Sequence, residues 1–214
     1  MRGMGDSEGE FVGFEHVAED IRAAIDALCE SCRPKRGVVV LGLCDAASAA
    51  LMYCMSDSRV QGLILMNPWV RTGQSHSSAI VKHYYAARLL HIAFWVKLFS
   101  GSLRIVSSLR AALGHLTRAF MHKDGEVRSS FITAMRIGLQ EFRGPVLLVL
   151  SGRDLTADEF RSLCSSNPEW DQALAQDSVK VVSARDADHT FSKAADLAEL
   201  NEHCANWLKR HFGH

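Results

Sequence analysis

Cys44, Asp154 and His189 are the residues of this 214-residue chain whose types and spacing could do chemistry together. Cys44 is the middle of Gly42-Leu43-Cys44-Asp45-Ala46, which joins an apolar, β-branched run to an alanine-rich stretch without room for a loop. So sharp a strand-to-helix turn strains its central residue and requires small residues two places before and two places after it. Gly42 and Ala46 meet that requirement, and Ala47 adds further room. A thiol at the apex faces a helix N-terminus, where the dipole favours thiolate and the N–H of Asp45 can hold a developing oxyanion. The Asp45 carboxylate acts the other way, because a negative neighbour disfavours a second negative charge. A buried structural cysteine is the alternative reading of Cys44.

A thiol nucleophile needs a base, and the base needs an orienting carboxylate. Asp154 closes Ser151-Gly152-Arg153-Asp154 after one apolar run, and His189 lies in Asp186-Ala187-Asp188-His189-Thr190-Phe191 after the next. Taken singly, Asp154 reads equally as a helix cap and His189 as an ordinary loop histidine. Their order behind Cys44 at successive strand ends is what makes nucleophile, acid and histidine of them. Asp158 is the substitute acid if Asp154 only caps, although Thr156-Ala157-Asp158-Glu159 reads as a capping box.

Other clusters carry less. Cys29-Glu30-Ser31-Cys32 has redox spacing but ends a helix rather than following a strand. His203, Cys204, His211 and His214 fit no zinc pattern, and no glycine-rich phosphate loop follows a strand. Neither a metal nor a cofactor is expected.

The elements that must position the triad follow from periodicity. Phe14, Val17, Ile21, Ala24, Ile25 and Leu28 recur at helical spacing, predicting a helix over 14–31 that ends at Pro34 and Gly37. Residues 37–43 are a short, uniformly apolar run of the kind buried in a parallel sheet, and 60–66, 145–150 and 179–182 read as three further strands. Helices are expected over 46–55, from the capping box onward, and over 194–212. Strands alternating with helices make an α/β fold with a mostly parallel sheet. About seventy-five residues separate the second and third strands, where a crossover needs only a dozen or more. The surplus predicts a core of residues 1–70 and 144–214 with a helical cap inserted at 71–143.

Composition bounds the rest. Hydrophobic residues at 48% and charged residues at 22% are ordinary for a globular chain and exclude a disordered or collagen-like one. The net charge of zero argues against nucleic-acid binding. The charges are unevenly placed, however: from Arg71 to Lys123 there are eight Lys or Arg and no Asp or Glu. Like charges so concentrated repel one another, and an anionic substrate or a peripheral contact with a membrane surface would offset that cost. No apolar run approaches the ~20 residues of a transmembrane helix. The N-terminus lacks the apolar stretch of a secretory signal. Six cysteines without framework spacing fit reduced thiols in a cytoplasmic protein.

The stretches from Gly42 to Ala50, Asn67-Pro68-Trp69-Val70-Arg71, Ser151 to Ala157 and Asp188-His189-Thr190-Phe191 give the chain a resemblance to the α/β-hydrolase superfamily. Within it, the chain resembles the subgroup called exosortase A system-associated hydrolase 1. The resemblance implies a helical cap over the site and triad positions at Cys44, Asp154 and His189. It also implies a bacterial setting of exopolysaccharide production and protein sorting. Arg2-Gly3-Met4-Gly5-Asp6-Ser7 resembles a loop that follows the superfamily's fourth strand, so the resemblance implies that the strands before it are lacking. The second oxyanion donor, which those strands carry, would be lacking with them. The function expected is hydrolysis of an ester or thioester on a small-molecule or lipid-linked acyl substrate. An acyltransferase and a non-catalytic binding protein of the same fold remain the alternatives.

Overall fold

Each of the four expected strands is present in the computed structural model, which describes residues 2–3, 6–10, 12–70 and 124–213. They are β1 (Val38–Leu43), β2 (Val60–Met66), β3 (Val146–Ser151) and β4 (Val179–Ala184). All neighbours are parallel, in the order β1-β2-β3-β4. The register sets Leu43, Met66, Val149 and Val182 in one row across the sheet. The residues just beyond that row therefore share the carboxyl edge of the sheet. Asp154 and His189 follow in the loops that leave it.

Because strand side chains alternate between faces, the strand interiors feed two cores. Leu63, Leu65, Val146 and Leu148 point to one, and Ile64, Met66, Leu147 and Val149 to the other. The first core is covered by α1 (Ala18–Cys32), α2 (Asp45–Tyr53), α3 (Asp124–Glu141), α4 (Leu155–Ser166) and α5 (Pro168–Leu174). The second is closed by α6 (Ala194–Phe212), through Leu200 and Trp207. Phe160, Trp170 and Trp207 are each 1% exposed, and a large apolar side chain so buried contributes about 1.5–3 kcal/mol. Helix α3 approaches α2 closely at Gly138, where a Cβ would fall 1.9 Å from the Leu51 carbonyl oxygen. Only glycine fits that contact.

Several expectations are corrected in detail. The helix expected over 14–31 is broken: a 3-10 turn (Phe14–His16) precedes α1, with Gly13 at φ 91°. The Phe14 ring instead packs edge-on against Trp69 and Phe131, at 5.4 Å from each. The α4 helix opens on Asp154 rather than on the Thr156 box. The Asp154 carboxylate reaches two backbone N–H groups of the first turn, whereas Thr156 already lies inside it. Strand β1 has a neighbour on one side only among the described residues, and its Leu41 is 58% exposed. Helix α5 was not foreseen, although Asn167 caps it and Pro168 opens it.

The chain divides into two compact units, Met1–Arg71 with Ser130–His214, and Thr72–Ser129. Residues 130–143, expected in the cap, fall in the first unit, where Phe131, Met135 and Leu139 are core residues. The rest of the expected cap up to 123, with its acid-free basic run, lies outside the described residues. No helix among the described residues is long and apolar enough to cross a membrane.

Candidate active site

Cys44 sits between β1 and α2 with φ 60° and ψ −121°, a conformation that side-chain-bearing residues avoid. Holding it there costs on the order of 1–3 kcal/mol, and surrounding hydrogen bonds supply the restraint. The Cys44 N–H donates to the Met66 carbonyl at 2.9 Å. Its own carbonyl accepts from Ala47, Ser48 and Trp69 N–H groups at 3.1, 3.2 and 3.3 Å. The demand for a small residue at position 42 is met with no margin. A Cβ on Gly42 would lie 2.6 Å from the carbonyl carbon and oxygen of Ala46 and from the Ala47 nitrogen.

Asp45 is the first residue of α2, and its carboxylate accepts the Ala46 N–H at 2.8 Å. The Ala47 and Ser48 N–H groups are engaged by the Cys44 carbonyl. The Asp45 N–H, the position expected from the sequence for an oxyanion donor, belongs to the first residue of α2, directly after Cys44. The Asp45 side chain, folded back on the helix start, complements the dipole there.

The Asp154 carboxylate makes both a helix cap and a bond to the histidine. It is the N-cap of α4, taking the Thr156 N–H on Oδ1 at 3.2 Å and the Ala157 N–H on Oδ2 at 3.1 Å. The same Oδ2 accepts the Nδ1–H of His189 at 2.9 Å. The carboxylate is buried, with 7% of its side chain exposed, while the His189 ring is 35% exposed. A helix cap thus holds the acid, the acid fixes the imidazole tautomer, and Nε2 is left as the ring's basic nitrogen. The substitute acid, Asp158, is engaged elsewhere: it accepts from Arg161 at 2.7 Å and points outward, with half its side chain exposed.

In the sequence Asn67 stands within a stretch that carries the family resemblance, with no side-chain role. Asn67 is fully buried and adopts φ 47°. Its Nδ2 donates to Ser151 Oγ at 2.9 Å and to the His189 carbonyl at 3.0 Å, and its Oδ1 accepts the Ser151 N–H at 2.8 Å. The Ser151 hydroxyl in turn donates to the Asp188 carbonyl at 2.9 Å. Met66 therefore holds the backbone of Cys44, and its neighbour Asn67 holds the backbone of His189. An asparagine directly after a buried strand, tolerant of positive φ, was the available signal.

The histidine loop is secured twice more. Phe191 is 3% exposed in the second core. The Asp188 carboxylate accepts the Thr190 N–H at 3.2 Å, the Ser192 N–H at 2.9 Å and the Ser192 hydroxyl. These bonds, led by the Ser192 hydroxyl, hold the Asp188 carboxyl below the usual range. Burial pushes the Cys54 and Cys164 thiols up to about 12, which disfavours their thiolate forms. His203 pairs with Glu199 one turn earlier in α6, at 3.6 Å, and His214 lies outside the described residues.

Residues 1–200 match the family model described as Alpha/beta hydrolase family. Several solved structures share the fold. The esterase domain of a Rhodothermus marinus protein is 17% identical, with 95% of this chain and 73% of that one covered, at a TM-score of 0.55. An esterase of Pyrococcus furiosus is 14% identical over 99% of this chain and 69% of its own, at 0.58. A monoacylglycerol lipase of Paleococcus ferrophilus is 15% identical over 99% and 81%, at 0.57. At these identities the likeness is one of fold. No curated protein sequence matches the chain.

Proposed function

The chain belongs to the alpha/beta hydrolase family, and from that premise we propose that it hydrolyses an ester or thioester through Cys44, His189 and Asp154. The Cys44 sulfur attacks the acyl carbonyl carbon while His189 Nε2 takes the thiol proton. The carbonyl oxygen becomes an oxyanion and is met by the Asp45 N–H. Collapse of the tetrahedral intermediate breaks the bond to the alcohol or thiol, which leaves with the proton from His189, and a thioester remains on Cys44. Water, deprotonated by His189, then attacks that thioester. The carboxylate departs and the thiol is restored. Through both halves Asp154 keeps Nδ1 protonated and steadies the transient imidazolium.

The observation that supports this reading best is the 2.9 Å bond between His189 Nδ1 and a carboxylate itself anchored by a helix start. It lies at the carboxyl edge that also carries a strained cysteine. The acid-free basic segment from Arg71 to Lys123 supports an anionic, phosphate-bearing or lipid-linked acyl substrate, and the cap role of 71–143 belongs to the same proposal. Likeness at the cysteine turn and at Asn67–Arg71 supports a place among exosortase-associated hydrolases of exopolysaccharide-producing bacteria. None of the six cysteines is in a disulfide, which supports a cytoplasmic setting.

The test is hydrolysis of p-nitrophenyl esters and of an acyl thioester by the purified chain and by Cys44→Ala. The proposal expects turnover that falls to background in the variant. Undiminished turnover by Cys44→Ala would remove Cys44 from the reaction.

A further inference from the structure

The Asn67 carboxamide uses both of its donors and its acceptor oxygen on the carboxyl edge of the sheet. One N–H goes to Ser151 Oγ, the other to the His189 carbonyl, and the oxygen takes the Ser151 N–H. Ser151 Oγ extends the chain to the Asp188 carbonyl. Both residues are 0% exposed, so water cannot replace these bonds without opening the core. The two carbonyls held in this way belong to the proposed base and to the residue before it. The Asn67 N–H also donates to Val149 at 3.1 Å, which fixes the carboxamide to β3 as well as to β2.

From this network we infer that Asn67, relayed by Ser151, is a positioning residue that sets where the His189 backbone stands relative to Cys44. Asp154 fixes the rotation and tautomer of the ring, but it grips only Nδ1; Phe191 anchors the far end of the loop in the second core, and the His189 backbone itself keeps freedom to shift toward or away from β2. Asn67 removes that freedom from the β2 side, on the strand whose Met66 carbonyl holds the Cys44 N–H at 2.9 Å. Nucleophile and base are thereby referenced to two consecutive residues of one buried strand end. An aspartate in place of Asn67 would turn a donor into an acceptor against the His189 carbonyl and push the loop away. A glycine would accept the positive φ and remove the network alone.

The inference rests on the Cys44–His189–Asp154 reading, and the experiment separates the two. Wild type, His189→Gln, Asn67→Gly and Ser151→Ala are compared in p-nitrophenyl acetate hydrolysis and in the pH profile of Cys44 alkylation by iodoacetamide. Thermal unfolding identifies the variants that fold. A base displaced by about 1 Å costs about 10²-fold, so Asn67→Gly should lose about that much in kcat with KM within about twofold. Its alkylation profile should move to higher pH, as His189→Gln does. Ser151→Ala, which cuts only the relay, should lose about tenfold in kcat with a smaller shift of the same sign, and it carries the test if Asn67→Gly fails to fold. If His189→Gln shifts the profile while the folded network variants match wild type in kcat and profile, the positioning role is overturned and the triad stands. If His189→Gln itself leaves the profile unmoved, the triad reading falls and this inference falls with it.

Discussion

Replacing Asp154 by serine and by alanine separates the two tasks that one carboxylate performs. The side chain accepts three hydrogen bonds, two from the first turn of α4 and one from His189. Serine caps a helix about as well as aspartate but is too short to reach the imidazole. Alanine does neither. Losing the cap costs about 1 kcal/mol, so Asp154→Ala should melt about 2–4 °C below Asp154→Ser in a chain of this size. Both lack the carboxylate behind His189 and should lose about 10²–10⁴-fold in kcat/KM. The assay is thermal unfolding followed by circular dichroism, beside initial rates on a p-nitrophenyl ester with the same preparations. Wild-type rates from Asp154→Ser would refute the orienting role. Equal melting temperatures for the two variants would refute the capping role.

Other perturbations follow from the same structure. Gly42→Ala should cost about 1–3 kcal/mol in urea unfolding and abolish ester hydrolysis, because the atoms its Cβ meets at 2.6 Å are backbone; unchanged stability would contradict the packing at the turn. Asp57 is 8% exposed and bonds Arg59, whose guanidinium is the leading cause of a carboxyl held well below its usual range. A depressed folded value gives stability that is present above the unfolded pKa of about 3.9 and lost as pH falls toward the folded one. Asp57→Asn should therefore unfold about 1–2 kcal/mol more easily at pH 7, with the gap narrowing in acid; a gap that widens in acid would contradict the sign. For an anionic acyl substrate, KM should rise with salt while that of a neutral ester stays constant. Arg88→Glu with Lys97→Glu should erase the difference, and salt-independent KM values for both would leave the basic segment without that role.

The strands were legible because each is a short, mostly apolar stretch rich in β-branched residues or leucine, and the central pair, buried on both faces, shows this most clearly. Helix ends were less legible. Phe14 keeps the helical period, yet its ring finds Trp69 and Phe131, and that tertiary contact outweighs the continuation of α1. The Thr156 box misled because two caps overlapped in sequence. Asp154 precedes it by two residues and starts the helix there, taking the Thr156 and Ala157 N–H groups, so Thr156 falls inside the first turn instead of before it. Cys44, Asp154 and His189 could be picked out because their chemistry is tied to strand ends. Asn67 and Ser151 could not. Their role depends on three strand ends meeting in register; tolerance of positive φ marks Asn67 as a turn residue, but nothing local marks its partners 84 and 122 positions away.

Covalent trapping addresses the central proposal most directly. The protein is mixed with a slowly deacylating p-nitrophenyl ester, quenched in acid within one turnover, digested and mapped by mass spectrometry. The acyl group is expected on the peptide that contains Cys44, labile to hydroxylamine as a thioester, accumulating in step with the p-nitrophenol burst and missing from Cys44→Ala. An acyl group carried by any other residue, or a full burst from Cys44→Ala, would contradict Cys44 as the nucleophile.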